Sequence, residues 1–195
     1  MVYYRYHKYQ IQISRIVNCY MREISSLNLT QVVSLLKATP QTLRRHLSPL
    51  DASILSWRPK PQERSINEIV LHLIESDQHA FANPIHQMLA NDLPELEGWD
   101  VHTTSVDWYD NDRDILELLA ELEVMRHEYA TMVSSLRPGQ LARSGFHPAV
   151  GEVQVVDYIY EWVYHDSRHI QQIMRRIQLS VWPKMGNLRH FAPPS

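Results

Sequence analysis

The sequence has a single cysteine, few glycines and no long apolar run. Because Cys19 has no second cysteine within the 195 residues, no internal disulfide can form, which fits a reducing cytoplasm. The five glycines form no phosphate-binding pattern such as GxGxxG, so nucleotide binding by such a loop is not expected. No apolar stretch approaches the roughly 18 residues of a membrane span. The formal net charge of -3 gives no reason to expect a nucleic acid or a membrane surface as a partner.

The remaining composition is typical of one globular domain, because 44% of the residues are hydrophobic. Residues 1–22 differ from the rest: they are rich in tyrosine, and no acidic residue precedes Glu23. We interpret this stretch as a leader that is disordered or, if Met21 is the true initiator, an artefact of the assigned gene start. Residues 23–180 are predicted to form the domain, and residues 181–195 are predicted to form an irregular tail.

Four stretches with apolar residues at helical spacing predict an all-α fold, a four-helix bundle with long connecting loops. The predicted helices span about residues 29–47, 65–90, 112–136 and 153–179. Pro40 predicts a kink or a restart in the first helix. Ser65 and Glu68 form a capping-box pattern at the start of the second. A small hairpin is an option within the turn region 137–152.

The loop predicted at residues 91–111 is long enough to be functional. Its aromatic residues Trp99, Trp108 and Tyr109 have two interpretations: they cover a pocket, or they pack over the end of the bundle. We favour packing over the end of the bundle, because it requires no special role for the loop.

Histidine is unusually frequent, with 11 residues. His165 and His169 lie four residues apart in an apolar-periodic stretch, so a helix places both imidazoles on one face, suitably placed to bind one metal ion. His72 lies in an equally periodic stretch and supplies a third imidazole. His79, one heptad further on, is a rival third ligand, although its polar neighbours favour an exposed residue. Three imidazoles with an open position are typical of a catalytic metal site rather than a structural one.

Carboxylates near these histidines are candidates to accept the second ring N–H of a ligand, as ligating imidazoles usually require. They are Glu75, Glu161 and Asp166, and for each a solvated surface charge is the simpler interpretation. Asp166 directly follows His165, where a metalloprotease helix needs the longer glutamate as its general base, so a metalloprotease is not expected. The paired Glu-x-x-His motifs of a ferritin-like di-metal site do not occur around His165 and His169.

Three segments together resemble the DinB-like (DinB/YfiT) superfamily over about residues 25–180. They are Leu55-Ser-Trp-Arg-Pro59, Ser65-Ile-Asn-Glu-Ile-Val-Leu-His-Leu-Ile-Glu-Ser-Asp77 and His165-Asp-Ser-Arg-His-Ile-Gln-Gln-Ile173. The resemblance implies a four-helix bundle, a homodimer, and a divalent metal held by His72, His165 and His169. It also implies transfer or isomerisation that depends on bacillithiol, mycothiol or glutathione. Arg64 departs from the family pattern, in which a tryptophan commonly occupies this position.

The expected function is therefore that of a metal-dependent enzyme that activates a low-molecular-weight thiol for attack on a small electrophilic substrate. Zn, Ni and Fe are all compatible with imidazole ligands. Arg126 is expected to hold a carboxylate of the thiol or substrate, or else to be an ordinary helix-surface residue. Cys19 is not expected to be the nucleophile, since it lies in the leader. The alternative is a non-catalytic, stress-associated dimer that stores or senses metal, or uses it as a structural staple.

Overall fold

The structure, a computed structural model, describes residues 26–99 and 113–191. The chain divides into two units, residues 1–31 and residues 32–195. Within the first unit, Asn28 and Gln31 exchange side chain-to-backbone hydrogen bonds at the start of the first helix. The leader predicted at 1–22, with its alternative start at Met21, lies outside the described residues, as do Trp108 and Tyr109.

The long helical segments form the predicted four-helix bundle, to which a small hairpin is added. The helices are α1 (Leu29–Leu47), α2 (Ala52–Leu55), α3 (Ile66–Ser76), a π-helix (Asp77–Ala82), α4 (Asn83–Ala90), α5 (Ile115–Ser135), α6 (Pro138–Leu141) and α7 (Val155–Val181). The second member of the bundle is the continuous run from α3 through the π-helix to α4. The other members are α1, α5 and α7, while α2 and α6 are single turns.

Helix starts follow local side-chain chemistry. At α3, the Ser65 side chain accepts the N–H of Glu68, and the Glu68 carboxylate accepts the N–H of Ser65, so the predicted capping box is confirmed. Arg58 donates two hydrogen bonds to the same carboxylate and anchors the preceding connector. At α5, the Asp114 side chain accepts the N–H of Leu116, which starts this helix slightly later than predicted.

Pro40 lies inside α1 without interrupting it, so the predicted restart does not occur. Because proline has no N–H, the carbonyl of Leu36 lacks its usual helical partner. The Nη1 of Arg126 donates to that carbonyl at 3.4 Å and replaces the missing bond. A side chain of α5 thus satisfies the backbone group that the proline leaves.

The π-helix divides the helix predicted at 65–90 into two α-helical parts. Pro84, in the first turn of α4, removes one α-helical hydrogen bond at the end of the π stretch. Because the π turn is wider than an α turn, side chains before and after it do not keep α-helical register. His79, one heptad after His72, lies within the π stretch and is exposed, whereas His72 is buried.

The apolar faces of α1, α3, α5 and α7 meet in a buried cluster. Its members are Leu43, Leu47, Leu55, Ile66, Ile69, Val70, Leu73, Ile74, Ile115, Leu118, Leu119, Leu122 and Ile173. Full burial of such a side chain contributes roughly 1.5–3 kcal/mol, before the entropy of ordering it is deducted. Ile69 and Leu73 of this cluster flank His72 on α3, so core packing fixes the position of that imidazole.

A two-stranded antiparallel hairpin connects α6 to α7. Its strands are β1 (Ser144–His147) and β2 (Gly151–Gln154), which confirms the option of a hairpin in this region. The second strand delays the start of α7 relative to the prediction. Gly145 is required in β1, because a Cβ there would lie 2.9 Å from the Cγ of Met88.

The segment after α4 attaches to the edge of this hairpin. The N–H of Leu96 donates to the carbonyl of Phe146, and the N–H of Phe146 donates to the carbonyl of Pro94, both at 2.8 Å. These bonds hold the first part of the predicted loop 91–111 in place. They thereby position Glu97 and Trp99, which follow directly.

The C-terminal tail, predicted to be irregular, contains 3₁₀ turns at Trp182–Lys184 and Gly186–Phe191. Among the helices of residues 26–99 and 113–191, none combines the length and the apolar character needed to cross a membrane.

Candidate metal centre

The three histidines His72, His165 and His169 come together with ligand atoms close enough to hold one metal ion. The Nε2 of His165 lies 3.2 Å from the Nε2 of His72 and 3.1 Å from the Nε2 of His169. Around a tetrahedral zinc ion with Zn–N bonds of roughly 2.0–2.1 Å, ligand nitrogens lie about 3.3–3.4 Å apart. These two separations are therefore close to the spacing that a bound ion requires.

Two helices supply this group. His165 and His169 lie on successive turns of α7, and their ring centroids are 4.4 Å apart. His72 faces them from α3, with ring-centroid distances of 5.1 Å to His165 and 4.5 Å to His169. The spacing of four residues on one helix and the packing of that helix against α3 together create the site.

The hydrogen bond at the outer ring nitrogen of His169 favours a bare Nε2 atom at the centre. The Nδ1–H of His169 donates to the Oε1 of Gln172 at 2.9 Å, which leaves the lone pair on Nε2. The Oγ of Ser76 lies 3.4 Å from both ring nitrogens of His72. The Nδ1 of His165 is buried without a hydrogen-bond partner among the described residues. Lone pairs that face one another repel, and one central cation satisfies them together, so this donor set fits a divalent metal.

Aromatic rings hold two of these imidazoles in place. Phe81, from the π-helix, packs edge-to-face against His165 at a centroid distance of 5.2 Å. Trp99 stacks on His72 at 5.8 Å and on His79 at 6.0 Å. Trp99 therefore lies beside the three-histidine group and lines a cavity there, which supports the interpretation that it covers a pocket. His79 is exposed, as its neighbours indicated, and does not belong to the three-histidine group.

Burial lowers the pKa of each imidazole in the group. Removal from water, followed by nearby charges, lowers the pKa of His72 from 6.5 to about 2 and that of His165 from 6.5 to about 3. The pKa of His169 is lowered for the same leading reason. Arg64 adds to the effect on His72 and His169. All three rings are therefore neutral at pH 7, which is the form that binds metals.

The metal-free protein is expected to lose stability as the pH falls below about 6.5, the ordinary histidine value. In the unfolded chain these imidazoles regain that pKa and bind protons, whereas the folded site excludes them. For each proton bound only by the unfolded state, the free energy of unfolding falls by about 1.4 kcal/mol per unit of decrease in pH. Urea unfolding of chelator-treated protein between pH 5 and 8 measures this slope. His72→Gln should reduce this slope by an amount that corresponds to at most one proton. An unchanged slope would contradict the lowered pKa of His72.

Arg126 is buried, and it forms ion pairs with two aspartates, Asp77 and Asp166. Its Nε and Nη2 donate to the two carboxylate oxygens of Asp77 at 2.8 and 2.7 Å. Its Nη1 and Nη2 donate to the two oxygens of Asp166, and Nη1 also donates to the carbonyl of Leu36. A guanidinium has five N–H groups, and these contacts use all of them.

The two aspartates accept further hydrogen bonds. The Nε1 of Trp162 donates to Asp77 at 2.7 Å, and the Oγ1 of Thr39 donates to Asp166 at 2.8 Å. The network therefore joins α1, the π-helix, α5 and α7. Arg126, expected to hold a ligand carboxylate or to lie on the surface, does neither, because its side chain is 1% exposed and saturated by this chain's own acceptors.

The predicted acceptors for the histidine N–H groups require a similar correction. Asp166 is occupied by Arg126 and Thr39, and the acceptor that His169 uses is Gln172. The spacing of three residues between His169 and Gln172 is the signal that the sequence offered for this contact. Glu161 is exposed and lines a neighbouring cavity. Glu75 acts electrostatically on Arg64.

The protein is thus a helical bundle that contains three histidines suitably placed to bind a metal ion. The family model of the DinB superfamily matches residues 35–173, so the chain belongs to the DinB superfamily. It is 18% identical over 160 residues to a protein of Oceanobacillus iheyensis whose name proposes a metal-dependent hydrolase, and the match covers 82% of this chain and 92% of that protein. The chain is also similar to the solved structure of YfiT from Bacillus subtilis, with a TM-score of 0.71 and 19% identity over 81% of this chain and 90% of YfiT. YfiT is described as a probable metal-dependent hydrolase with an unusual four-helix bundle topology.

Proposed function

We propose that this protein is a metal-dependent enzyme that holds one divalent ion through His72, His165 and His169 and activates a low-molecular-weight thiol for transfer to an electrophilic substrate. The observation that carries the proposal is the convergence of three Nε2 atoms. The Nε2 of His165 lies 3.1 Å from that of His169 and 3.2 Å from that of His72. Three protein ligands leave a coordination position for a further group, as in catalytic sites. Zn, Ni or Fe suits such ligands.

A metal bound by these ligands would lower the pKa of a thiol or water molecule that completes its shell. The chain keeps the imidazoles neutral through burial, and it orients them through Gln172 and Phe81. In the proposed transfer, the thiol loses its proton to solvent and the sulfur forms a new bond to the electrophilic carbon. The leaving group departs with the electron pair of the broken bond.

Hydrolysis is a second candidate, in which water replaces the thiol. The descriptions of the Oceanobacillus and Bacillus relatives name metal-dependent hydrolases. In addition, Arg126, the expected anchor for a thiol carboxylate, is committed to Asp77 and Asp166. Both candidates use the same three ligands, so an assay must separate them.

Zinc-loaded protein is expected to conjugate glutathione with 1-chloro-2,4-dinitrobenzene, a reaction followed by the absorbance of the product. His165→Ala should lower the rate by at least about 100-fold, since changes outside the ligand shell of a metal already cost 10–100-fold. Release of nitrophenol from 4-nitrophenyl acetate without thiol, lost in the same variant, would support hydrolysis instead. Bacillithiol and mycothiol replace glutathione in parallel assays.

A protein that holds about one metal ion per chain but turns over neither probe would favour the non-catalytic metal-binding alternative. A homodimer remains a prediction from the family resemblance, and light scattering of the purified protein tests it.

A further inference from the structure

A cavity of about 360 Å³ adjoins the metal centre. Trp99 forms part of its wall and stacks on His72, so one aromatic ring belongs to both the cavity and the centre. Glu161, another wall residue, lies one helical turn before His165 on α7. A ligand in this cavity would therefore contact residues that neighbour the proposed metal ligands, although none of those three histidines lines the cavity. The volume suits a small molecule or one arm of a larger one.

The formally charged residues in the cavity wall are acidic. Glu97, Asp157 and Glu161 contribute carboxylates, His79 and His147 contribute imidazoles, and the described wall contains no lysine or arginine. Asp157 uses one oxygen to accept the N–H of Gln154 at 2.8 Å but keeps its charge. Arg168 acts on Glu161 without belonging to the wall. The cavity therefore presents a negative potential to its contents.

Aromatic and apolar groups complete the wall. Trp99 and Tyr158 contribute rings, and Val153 and Pro84 contribute aliphatic surface. Aromatic faces attract cations through the quadrupole of the ring, and tryptophan does so most strongly. Carboxylates beside aromatic faces are the combination that recognises an organic cation with an apolar body.

We propose that this cavity binds the cationic amine portion of the substrate, with Glu97, Glu161 and Trp99 as the residues that determine specificity. The proposal rests on the proposed function, because it places the substrate's reacting group toward His72 and its cationic group away from the metal. The same wall disfavours an anionic ligand portion, which would face three carboxylates. The acidic wall therefore indicates that the anionic groups of a thiol such as glutathione lie elsewhere.

Binding of a matched ligand pair tests this assignment without any requirement for turnover. Choline carries a quaternary ammonium group, and 3,3-dimethyl-1-butanol is its neutral isostere, with carbon in place of the charged nitrogen. Titration of zinc-loaded protein, followed by ligand-observed NMR, should show choline binding roughly fivefold or more tightly than the isostere, as cation–π attraction in a partly desolvated site allows. The anion 3,3-dimethylbutanoate should bind most weakly, and added salt should reduce the choline affinity.

Substitutions identify the cavity as the binding site. Glu161→Gln and Glu97→Gln should each weaken choline roughly two- to fivefold, the range for partly exposed charge pairs, and should leave the neutral isostere unaffected. Trp99→Leu should remove most of the preference for the cation. Glu128→Gln is the matched control, because Glu128 is an exposed glutamate on α5 outside the cavity wall. Its choline affinity should equal that of the unmodified protein.

Four outcomes would overturn the assignment. The first three concern the ligands: choline and its isostere bind equally, the anion binds more tightly than choline, or none of the three binds. The fourth is an unchanged choline affinity in both glutamate variants. Metal content is measured on the same samples. Absence of metal with retained choline preference would refute the proposed function but support the cavity assignment, whereas bound metal without the preference would refute the cavity assignment alone.

Discussion

Replacement of His169 by alanine is expected to remove most of the bound metal, whereas the unmodified protein is expected to hold about one divalent ion per chain. His169 supplies one of three converging nitrogens, and the remaining pair on different helices cannot surround an ion. Loss of a residue that only orients a ligand typically weakens metal binding 10–100-fold, so loss of the ligand itself should cost more than about 100-fold. Elemental mass spectrometry of protein purified without a histidine tag measures this directly.

His79→Ala is the matched control for that experiment. His79 is also an imidazole near Trp99, but it is exposed and outside the three-histidine group, so its removal should leave the metal content unchanged. Gln172→Ala should give an intermediate result, because it removes the acceptor for the Nδ1–H of His169 but no ligand. Equal metal content in the His169 and His79 variants would contradict the site.

Replacement of Arg126 by methionine is expected to lower the free energy of unfolding by about 3–5 kcal/mol, the cost of leaving buried charges without their partner. Asp77 and Asp166 are both buried, and Arg126 forms an ion pair with each of them. Burial already raises the pKa of Asp77 to about 6 despite the opposing attraction of Arg126. Urea unfolding of metal-free protein at pH 7 measures the loss.

The surface pair of Arg44 and Glu123 provides the control. These side chains are 38% and 46% exposed, so Arg44→Met should cost no more than about 1 kcal/mol. Neutralising the aspartates with Asp77→Asn and Asp166→Asn in the Arg126→Met background should recover part of the stability, because no buried charge then remains. A loss at Arg126 no larger than that at Arg44 would show that the buried network contributes little.

The fold was accessible from the sequence where the signals were local. The helical spacing of apolar residues predicted the four members of the bundle, and Ser65 with Glu68 predicted the start of α3. The π-helix was not predicted, because one wider turn shifts the helical register without interrupting the run of apolar residues in the sequence. The uninterrupted course of α1 at Pro40 also escaped prediction, since its compensating donor, Arg126, lies 90 residues away from Leu36.

The candidate site shows the same division. The pair His165 and His169 was visible as a spacing on one helix, and the family resemblance then indicated His72 as the third member. The role of Arg126 was not visible, because its partners Asp77 and Asp166 are 49 and 40 residues distant along the chain. The contact of Trp99 with His72 was not predicted for a similar reason: the position of Trp99 depends on backbone bonds between residues 94–96 and the hairpin.

The proline in α1, together with the hydrogen bond from Thr39 to Asp166, contributes to how that helix is aligned along the bundle. Val32, Leu36, Leu43 and Leu47 repeat at helical spacing, so their apolar stripe alone would tolerate a slip of one turn. The free carbonyl created by Pro40, however, occurs at one place along the helix. A slip would deprive a buried N–H of Arg126 of its acceptor at a cost of about 1–3 kcal/mol. A residue usually regarded as a helix breaker thus favours one alignment of the helix. It does so through a backbone carbonyl rather than through side-chain packing.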